Sequence, residues 1–276
     1  MDAYCVIGNP VQHSQSPWIH ARFAQLTGQQ LSYGRREIAL DGFTAGLRAF
    51  RAEGGKGCNI TVPFKFQAAP LATTMTARAA LAQACNTLRF DGALDVFADN
   101  TDGVGLVNDI QHNAGIALAG RDLLLIGAGG AAAGVLGPLI EARPRRILVV
   151  NRSPGRALEL QQRHAALASE CGVALTAAAL DAVADAFDIV INATASSLSG
   201  GAIPVSHTVL KPGALACDMM YGPAADGFTA WARNHGAVPR DGLGMLVEQA
   251  AEAFLVFRGV RPPSQQVLAE LRASLA

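Results

Sequence analysis

Of the 22 lysines and arginines in this 276-residue chain, only Lys56, Lys65 and Lys211 are lysines. Arginine supplies surface charge and ion pairs, but its guanidinium gives up no proton at any useful pH. A lysine kept in so arginine-rich a chain is therefore a candidate for moving a proton. Lys65 ends the run Asn59-Ile60-Thr61-Val62-Pro63-Phe64-Lys65, an apolar strand expected to break at Pro63. Its ammonium and the small polar side chains before it then lie at the C-terminal end of a strand. Open α/β sheets bind their ligands at that edge. On this run alone, a solvated lysine just past a strand is the plainer reading.

Other residues supply complementary groups. Ser14 and Ser16, in Ser14-Gln15-Ser16-Pro17, place two hydroxyls over a helix start, a neutral donor cradle for a carboxylate. Ser16 is expected to cap that helix, with Pro17 in its first position, whereas Ser14 has no such structural duty. Asp102 stands where another helix begins. A carboxylate there stays ionised, the form that holds an ammonium, and simple capping is the alternative. Asn86 starts a hairpin and reads equally as a turn residue. Gln249 falls within a helix, where a solvated face is the default. Hydroxyl, amide, carboxylate and ammonium groups from one domain suit a polyhydroxylated carboxylic acid.

A second constellation suits phosphates. Leu123-Leu124-Leu125-Ile126 runs into Gly127-Ala128-Gly129-Gly130-Ala131-Ala132, a Gly-x-Gly-x-x-Ala turn between strand and helix. The first glycine permits the tight turn, the second lets backbone approach a pyrophosphate, and the small residues allow close packing. The helix N-terminus adds N–H groups for phosphate oxygens. An NAD site expects an acid about 20 residues further on, for the ribose 2′-hydroxyl. Here the next strand ends Val149-Val150-Asn151-Arg152-Ser153, with Arg156 one turn beyond. Two guanidiniums and no acid suit a 2′-phosphate, so NADP is the expected cofactor. Solvated residues at a helix entry are the plain alternative for both arginines.

Alternating strands and helices must position these groups. Residues 4–7 read as a strand stopped by Gly8-Asn9-Pro10, and Ser16 opens a helix with Ile19, Phe23 and Leu26 on one face. Asp41 is expected to cap a helix bearing Phe43, Leu47 and Phe50, and residues 58–62 form a strand. Residues 86–90 and 93–97 flank Asp91-Gly92, a hairpin signal. The first sheet is thus expected to be mainly parallel with one antiparallel strand. Asp99-Asn100-Thr101-Asp102-Gly103 opens a helix to about His112, where the chain crosses into a second domain. Strands at 123–126, 147–150, 188–191 and 214–217 form a Rossmann-type series. Helices over 244–258 and 264–275 then return to the first domain. The expected fold is α/β, with residues 1–102 and 242–276 binding substrate and 103–241 binding the dinucleotide.

Hydrophobic residues make up 50% and charged residues 16%, which permits a large core and argues against disorder. The formal net charge is zero, and no basic stripe with interleaved aromatics marks a nucleic-acid surface. Cys5, Cys58, Cys85, Cys171 and Cys217 form no Cys-x-x-Cys pair and read as thiols in a reducing compartment, not as staples or metal ligands. Residues 123–140 are uncharged and long enough to span a membrane, but their glycines and Pro138 fit strand, turn and helix better. Met1-Asp2-Ala3 lacks the basic stretch of a signal peptide. A soluble, cytoplasmic protein without a metal is expected, with no membrane or nucleic-acid partner.

The chain resembles the shikimate dehydrogenase family over essentially its whole length. The matching runs include Gly8-Asn9-Pro10, His13-Ser14-Gln15-Ser16-Pro17, Asn59-Ile60-Thr61-Val62-Pro63-Phe64-Lys65, Asn86-Thr87 and Asp99-Asn100-Thr101-Asp102-Gly103. They continue through Gly127-Ala128-Gly129-Gly130-Ala131, Asn151-Arg152, Asn192-Ala193-Thr194, Asp218-Met219-Met220-Tyr221 and Asp241-Gly242-Leu243-Gly244-Met245-Leu246. The resemblance implies reversible, NADP-dependent reduction of 3-dehydroshikimate to shikimate, with Lys65 and Asp102 as the catalytic pair. It implies Ser14 and Ser16 for the substrate carboxylate, and Thr61, Asn86, Asp102, Tyr221 and Gln249 for ring hydroxyls. Asn151, Arg152, Ser153 and Arg156 would take the 2′-phosphate, and Met219 and Gly242 would line the nicotinamide. The chain departs from the family's pattern at Ala131-Ala132-Ala133, at Ala77, and at Ala195-Ser196-Ser197. An NAD-using quinate/shikimate dehydrogenase and a non-catalytic NADP-sensing regulator are the alternatives, with a homodimer as one assembly open to the chain.

Overall fold

The computed structural model describes residues 1–92, 94–194 and 203–275. The chain forms two compact units, Met1–Gly105 with Leu246–Ala276, and Leu106–Met245. The first begins with β1 (Asp2–Gly8), α1 (Ser16–Thr27), β2 (Leu31–Glu37), α2 (Phe43–Ala52) and β3 (Gly55–Ile60). There follow α3 (Lys65–Ala68), β4 (Thr74–Met75), α4 (Ala77–Ala82), β5 (Thr87–Phe90), β6 (Val96–Asp99) and α5 (Asp102–Asn108), within which the chain crosses to the second unit. The strand order is β2-β1-β3-β5-β6-β4, and only β5 runs against its neighbours.

Because β2 and β3 lie on opposite sides of β1, the chain reverses direction in the sheet between β1 and β3. The crevice beyond the C-terminal ends of such a strand pair is where α/β sheets take ligands. Phe43 and Phe64 stack at 4.8 Å in the core on this sheet. A fully buried Phe contributes about 1.5–3 kcal/mol by leaving water.

Three local expectations are corrected here. Strand β3 stops at Ile60, short of Thr61 and Val62. Helix α2 starts at Phe43 with Gly42 as its N-cap, so Asp41 lies one residue too far out to cap it. The β5–β6 hairpin pairs Phe90 with Val96, so its connection is longer than the two-residue turn that Asp91-Gly92 suggests. Ala93 within it lies outside the described residues. Strand β2 was not anticipated: its burial alternates only from Leu31 to Gly34, and Arg35, Arg36 and Glu37 then break the pattern.

The second unit adds β7 (Asp122–Ile126), α6 (Gly130–Glu141), β8 (Arg146–Asn151), α7 (Pro154–Cys171), β9 (Ala174–Ala179), β10 (Phe187–Asn192), β11 (Leu210–Asp218), α8 (Asp226–Asn234) and β12 (Val238–Arg240). Its sheet, β12-β11-β10-β7-β8-β9, is wholly parallel. Parallel sheets are covered on both faces and read as continuous apolar runs, as in β7, where every residue from Leu123 to Ile126 is buried. The uncharged stretch from 123 is thus strand, turn and helix. No helix of the described residues is long and apolar enough to cross a membrane. A one-turn π-helix, Asp109–Asn113, prolongs α5, and Arg240 forks the buried Asp109 carboxylate at 2.6 and 2.5 Å.

Helices α9 (Leu243–Arg258) and α10 (Ser264–Leu275) complete the chain. From Leu246 onward they belong to the first unit. Phe257 packs on Tyr4 at 4.6 Å, Phe254 meets Phe23 edge-on at 5.7 Å, and Arg22 forks Glu270.

Beneath this layer His20 is fully buried, and neither of its ring nitrogens has a hydrogen-bond partner. Its ring stacks on Tyr33 at 4.1 Å. Burial pushes its pKa down from 6.5 to about 3. The folded state therefore keeps His20 neutral where the unfolded chain binds a proton. This stabilisation is present above pH 6.5 and is lost as the pH falls toward 3, at about 1.4 kcal/mol per pH unit. His20→Phe keeps the stack and removes the titration. Between pH 6.5 and 4.5 its unfolding free energy should fall by about 2–3 kcal/mol less than that of the natural chain. Parallel urea-derived stability curves would refute this.

Candidate active site

The loops at the crevice of the first sheet bring most of the candidate residues for substrate to one edge. Thr61 and Lys65 follow β3, Asn86 precedes the antiparallel β5, and Asp102 follows β6, so strand direction delivers all four to the same side. Lys65 Nζ donates to Asp102 Oδ2 at 2.6 Å, with both side chains largely buried. Asp102 Oδ1 accepts from Asn86 Nδ2 at 2.9 Å. The same amide donates to Gln249 Oε1 at 3.3 Å, which brings α9 into the cluster. Asp102 occupies only part of the ammonium's donor capacity, and the remaining N–H groups are suited to a ligand oxygen.

Ser14 and Ser16 meet as expected, Oγ to Oγ at 3.1 Å, but their structural duties are exchanged. Gln15 is the N-cap of α1 and Ser16 its first residue, and no side chain caps the helix. Ser14 Oγ instead accepts from the Ser16 N–H at 3.3 Å. Ser14 is therefore the serine with a local structural role, and Arg35 on β2 pins its carbonyl at 3.0 and 2.6 Å.

Sequence reading missed the groups that hold this cluster in place. Tyr33 Oη donates to Asn59 Oδ1 at 2.6 Å, and Asn59 Nδ2 donates to the Asn86 carbonyl and to Thr87 Oγ1. The Thr101 N–H donates to Asn86 Oδ1 at 2.8 Å, which orients the amide toward Asp102. An asparagine inside a buried strand was the available signal, since buried polar groups are normally hydrogen-bonded. Nearby Cys85 is buried, and burial pushes its thiol up to about 12, which disfavours the reactive thiolate. Among the described residues no group of His, Cys, Asp or Glu is arranged to hold a metal.

The second unit has its own crevice, between β7 and β10, where its strand order reverses. Gly127 takes φ +115°, and a Cβ there would lie 3.1 Å from the Ala193 carbonyl. Gly129 caps the twelve-residue α6, and a Cβ on it would meet nothing within 4 Å. This gap over a helix N-terminus, flanked by Ala128, Gly130 and Ala131, fits a pyrophosphate. Asn151 Nδ2 donates to the Ser153 carbonyl at 3.1 Å, and Arg152, Ser153 and Arg156 are exposed at the start of α7. Neither arginine makes an ion pair among the described residues, which leaves both guanidiniums available to an anion. Met219 donates its N–H to the Asn192 carbonyl, and Gly242 packs against the Met219 carbonyl. Tyr221 belongs to this unit, apart in the chain from the cluster around Lys65. Ala195, Ser196 and Ser197 lie outside the described residues.

Residues 6–88 match the family model for the shikimate dehydrogenase substrate binding domain. Residues 109–199 match that for shikimate / quinate 5-dehydrogenase, and 242–272 that for the shikimate 5′-dehydrogenase C-terminal domain. A shikimate dehydrogenase (NADP(+)) of Acidovorax sp. (strain JS42) is 65% identical, over 100% of this chain and 97% of its own length. That of Methylibium petroleiphilum is 63% identical, over 99% and 94%. The chain belongs to the shikimate dehydrogenase family. An Ael1 enzyme from Pseudomonas putida shares its fold at a TM-score of 0.87 and 44% identity, each chain covered to 98%. The shikimate 5-dehydrogenase of Thermus thermophilus, solved with NADP(H) and shikimate, matches at 0.85 and 29%, with both chains fully covered.

The two loop glycines of this family member separate folding from binding. Gly127→Ala puts a side chain into a backbone conformation reserved for glycine, at a cost of about 1–3 kcal/mol, and should lower the melting temperature. Gly129→Ala should lower the melting temperature less than Gly127→Ala, by no more than the loss of a glycine N-cap, and weaken dinucleotide binding. Equal melting losses in both variants, or unchanged NADPH titration in Gly129→Ala, would contradict the assignment of that gap.

Proposed function

We propose that this chain is an NADP-dependent shikimate dehydrogenase, which reversibly reduces 3-dehydroshikimate to shikimate. The observation that carries the reading is the buried Lys65–Asp102 pair at 2.6 Å, set among hydroxyl and amide groups at a sheet's ligand-binding edge. Reduced nicotinamide, when bound, supplies the hydride that reaches the ring carbonyl carbon. Lys65 stabilises the developing alkoxide and passes it a proton, ending as the neutral amine until solvent reprotonates it. In the oxidative direction the neutral amine takes the proton back. Asp102 orients Lys65 through one oxygen, and its other oxygen is kept in place by Asn86. Ser14 and Ser16 bind the substrate carboxylate, while Thr61, Asn86, Asp102, Tyr221 and Gln249 contact ring hydroxyls.

The cofactor residues of the proposal are Gly127, Ala128, Gly129, Gly130 and Ala131 for the pyrophosphate. Asn151, Arg152, Ser153 and Arg156 take the 2′-phosphate, and Met219 and Gly242 flank the nicotinamide. Two exposed arginines and no acid after β8 favour NADP over NAD. A cytoplasmic setting belongs to the same proposal, supported by five free thiols, four of them buried. A homodimer is the assembly to test, by light scattering on the purified chain.

Initial rates with 3-dehydroshikimate test the reading directly. NADPH should support turnover far better than NADH, and quinate should be a poor substrate in the reverse direction. Replacing Arg152 and Arg156 together by alanine should raise KM for NADPH strongly and leave the weak NADH rate nearly unchanged. Equal losses with both cofactors would mean that the arginines serve the fold or the pyrophosphate.

Lys65→Arg separates proton transfer from mere charge. Arginine keeps the charge but forms no neutral base near neutrality, so kcat should fall about 10²–10⁴-fold, as in Lys65→Ala. A Lys65→Arg enzyme with near-normal kcat would make Lys65 a fixed charge only.

A further inference from the structure

Arg78, on α4, has no part in the chemistry described so far. Its guanidinium forks Asp99, Nε to Oδ1 at 2.7 Å and Nη2 to Oδ2 at 2.5 Å. Nη2 also donates to Glu252 Oε1 on α9 at 3.0 Å. Burial opposes the charge on Arg78, but Asp99 and Glu252 outweigh it and hold the guanidinium above its ordinary range.

Both partners lead directly to site residues. Asp99 is buried at the end of β6, and its Oδ1 accepts from the Asn100 N–H at 2.7 Å and the Thr76 hydroxyl at 2.6 Å. Its backbone carbonyl accepts from the Asn86 N–H at 3.1 Å. Asn100 Oδ1 accepts in turn from the Asp102 N–H at 3.2 Å. Glu252 lies three residues after Gln249, neighbouring it on the same helix surface. One guanidinium thus bonds to the turn that delivers Asp102 and to the helix that delivers Gln249.

We infer that Arg78, acting through Asp99 and Glu252, is a positioning residue that fixes Asp102 and Gln249 relative to one another for the reaction. The inference rests on the functional reading above. A planar fork is needed, because a lysine cannot grip one carboxylate at two points while reaching a second. Misplacing a reacting group by about 1 Å can cost about 10²-fold in rate, so the brace acts on turnover and not only on folding.

Glu252→Gln in the full chain is the gentle test, since it spares the Arg78–Asp99 fork and weakens the tether to α9, along with a half-exposed ion pair to Arg261 that Arg261→Ala removes alone as the control. Its melting temperature and NADPH affinity should stay near those of the natural chain, while kcat/KM for 3-dehydroshikimate falls about tenfold or more. In a Gln249→Ala background the same change should cost less than about twofold, because residues acting through one another are not additive. Arg78→Lys, which keeps the charge without the fork, should lose activity like Glu252→Gln.

Wild-type kcat and KM in Glu252→Gln would overturn the inference, as would an equal loss in both backgrounds. A natural chain that turns over no 3-dehydroshikimate would remove the functional reading and this inference together. An active natural chain with an unaffected Glu252→Gln would remove the inference alone.

Discussion

The first unit is organised around one buried ion pair, Lys65 with Asp102. Removing two charges from water costs several kcal/mol per ion, and mutual attraction offsets this only when the remaining lone pairs and protons are also satisfied. The structure meets that condition on the carboxylate side, where Asn86 covers the oxygen that Lys65 does not. Asn86 in turn is fixed from behind by Thr101, Thr87 and Asn59. On the ammonium side donor capacity remains. A buried cation with one partner and spare donors is held in place yet still able to bind and protonate a ligand oxygen.

The fold explains why such a cluster assembles from residues far apart in the chain. Parallel strands present their C-terminal ends to one edge, and the single antiparallel strand adds its N-terminal end to the same side. Four loops with little in common therefore contribute Ser14, Lys65, Asn86 and Asp102 to one crevice. The second unit repeats the arrangement with different chemistry. Its crevice offers backbone N–H groups and exposed guanidiniums, the kind of donors that suit a phosphate without a buried charge. The two units thus meet different electrostatic demands, the first with a closed hydrogen-bond network and the second with a solvated, cationic rim.

Much of this was legible in the sequence, and the failures have physical causes. Lysine scarcity selected three candidates, but Lys211 instead bonds Asp122 and Asp188 at 3.1 and 2.9 Å, and Lys56 is exposed. Position at a strand's C-terminal end, not scarcity, distinguishes Lys65. Long apolar strands such as β7 were read correctly because every residue along them is buried. The edge strand β2 was missed because one face is solvated and carries arginine. The exchange of roles between Ser14 and Ser16 was not legible, since it depends on which of two adjacent peptide planes turns first into the helix. Tyr33 and Thr87 escaped because nothing local to either shows that its side chain converges on Asn59, whose place inside a buried strand was the one available signal.

Non-additivity follows from the same architecture. Each polar group in the first unit's network touches the next at hydrogen-bond distance, from Tyr33 through Asn59 and Asn86 to Asp102 and Lys65. Truncating any one leaves a buried donor or acceptor unsatisfied, which costs more than the lost bond itself. Neighbours then relax toward whatever partner remains, so a second truncation in the chain finds part of the damage already done. The exposed arginines of the second unit are different: water replaces whatever they lose. Substitutions among Asn151, Arg152, Ser153 and Arg156 should therefore combine nearly independently, whereas those around Lys65 should not. That contrast reflects the burial of one site and the solvation of the other, and it would hold whichever ligands they take.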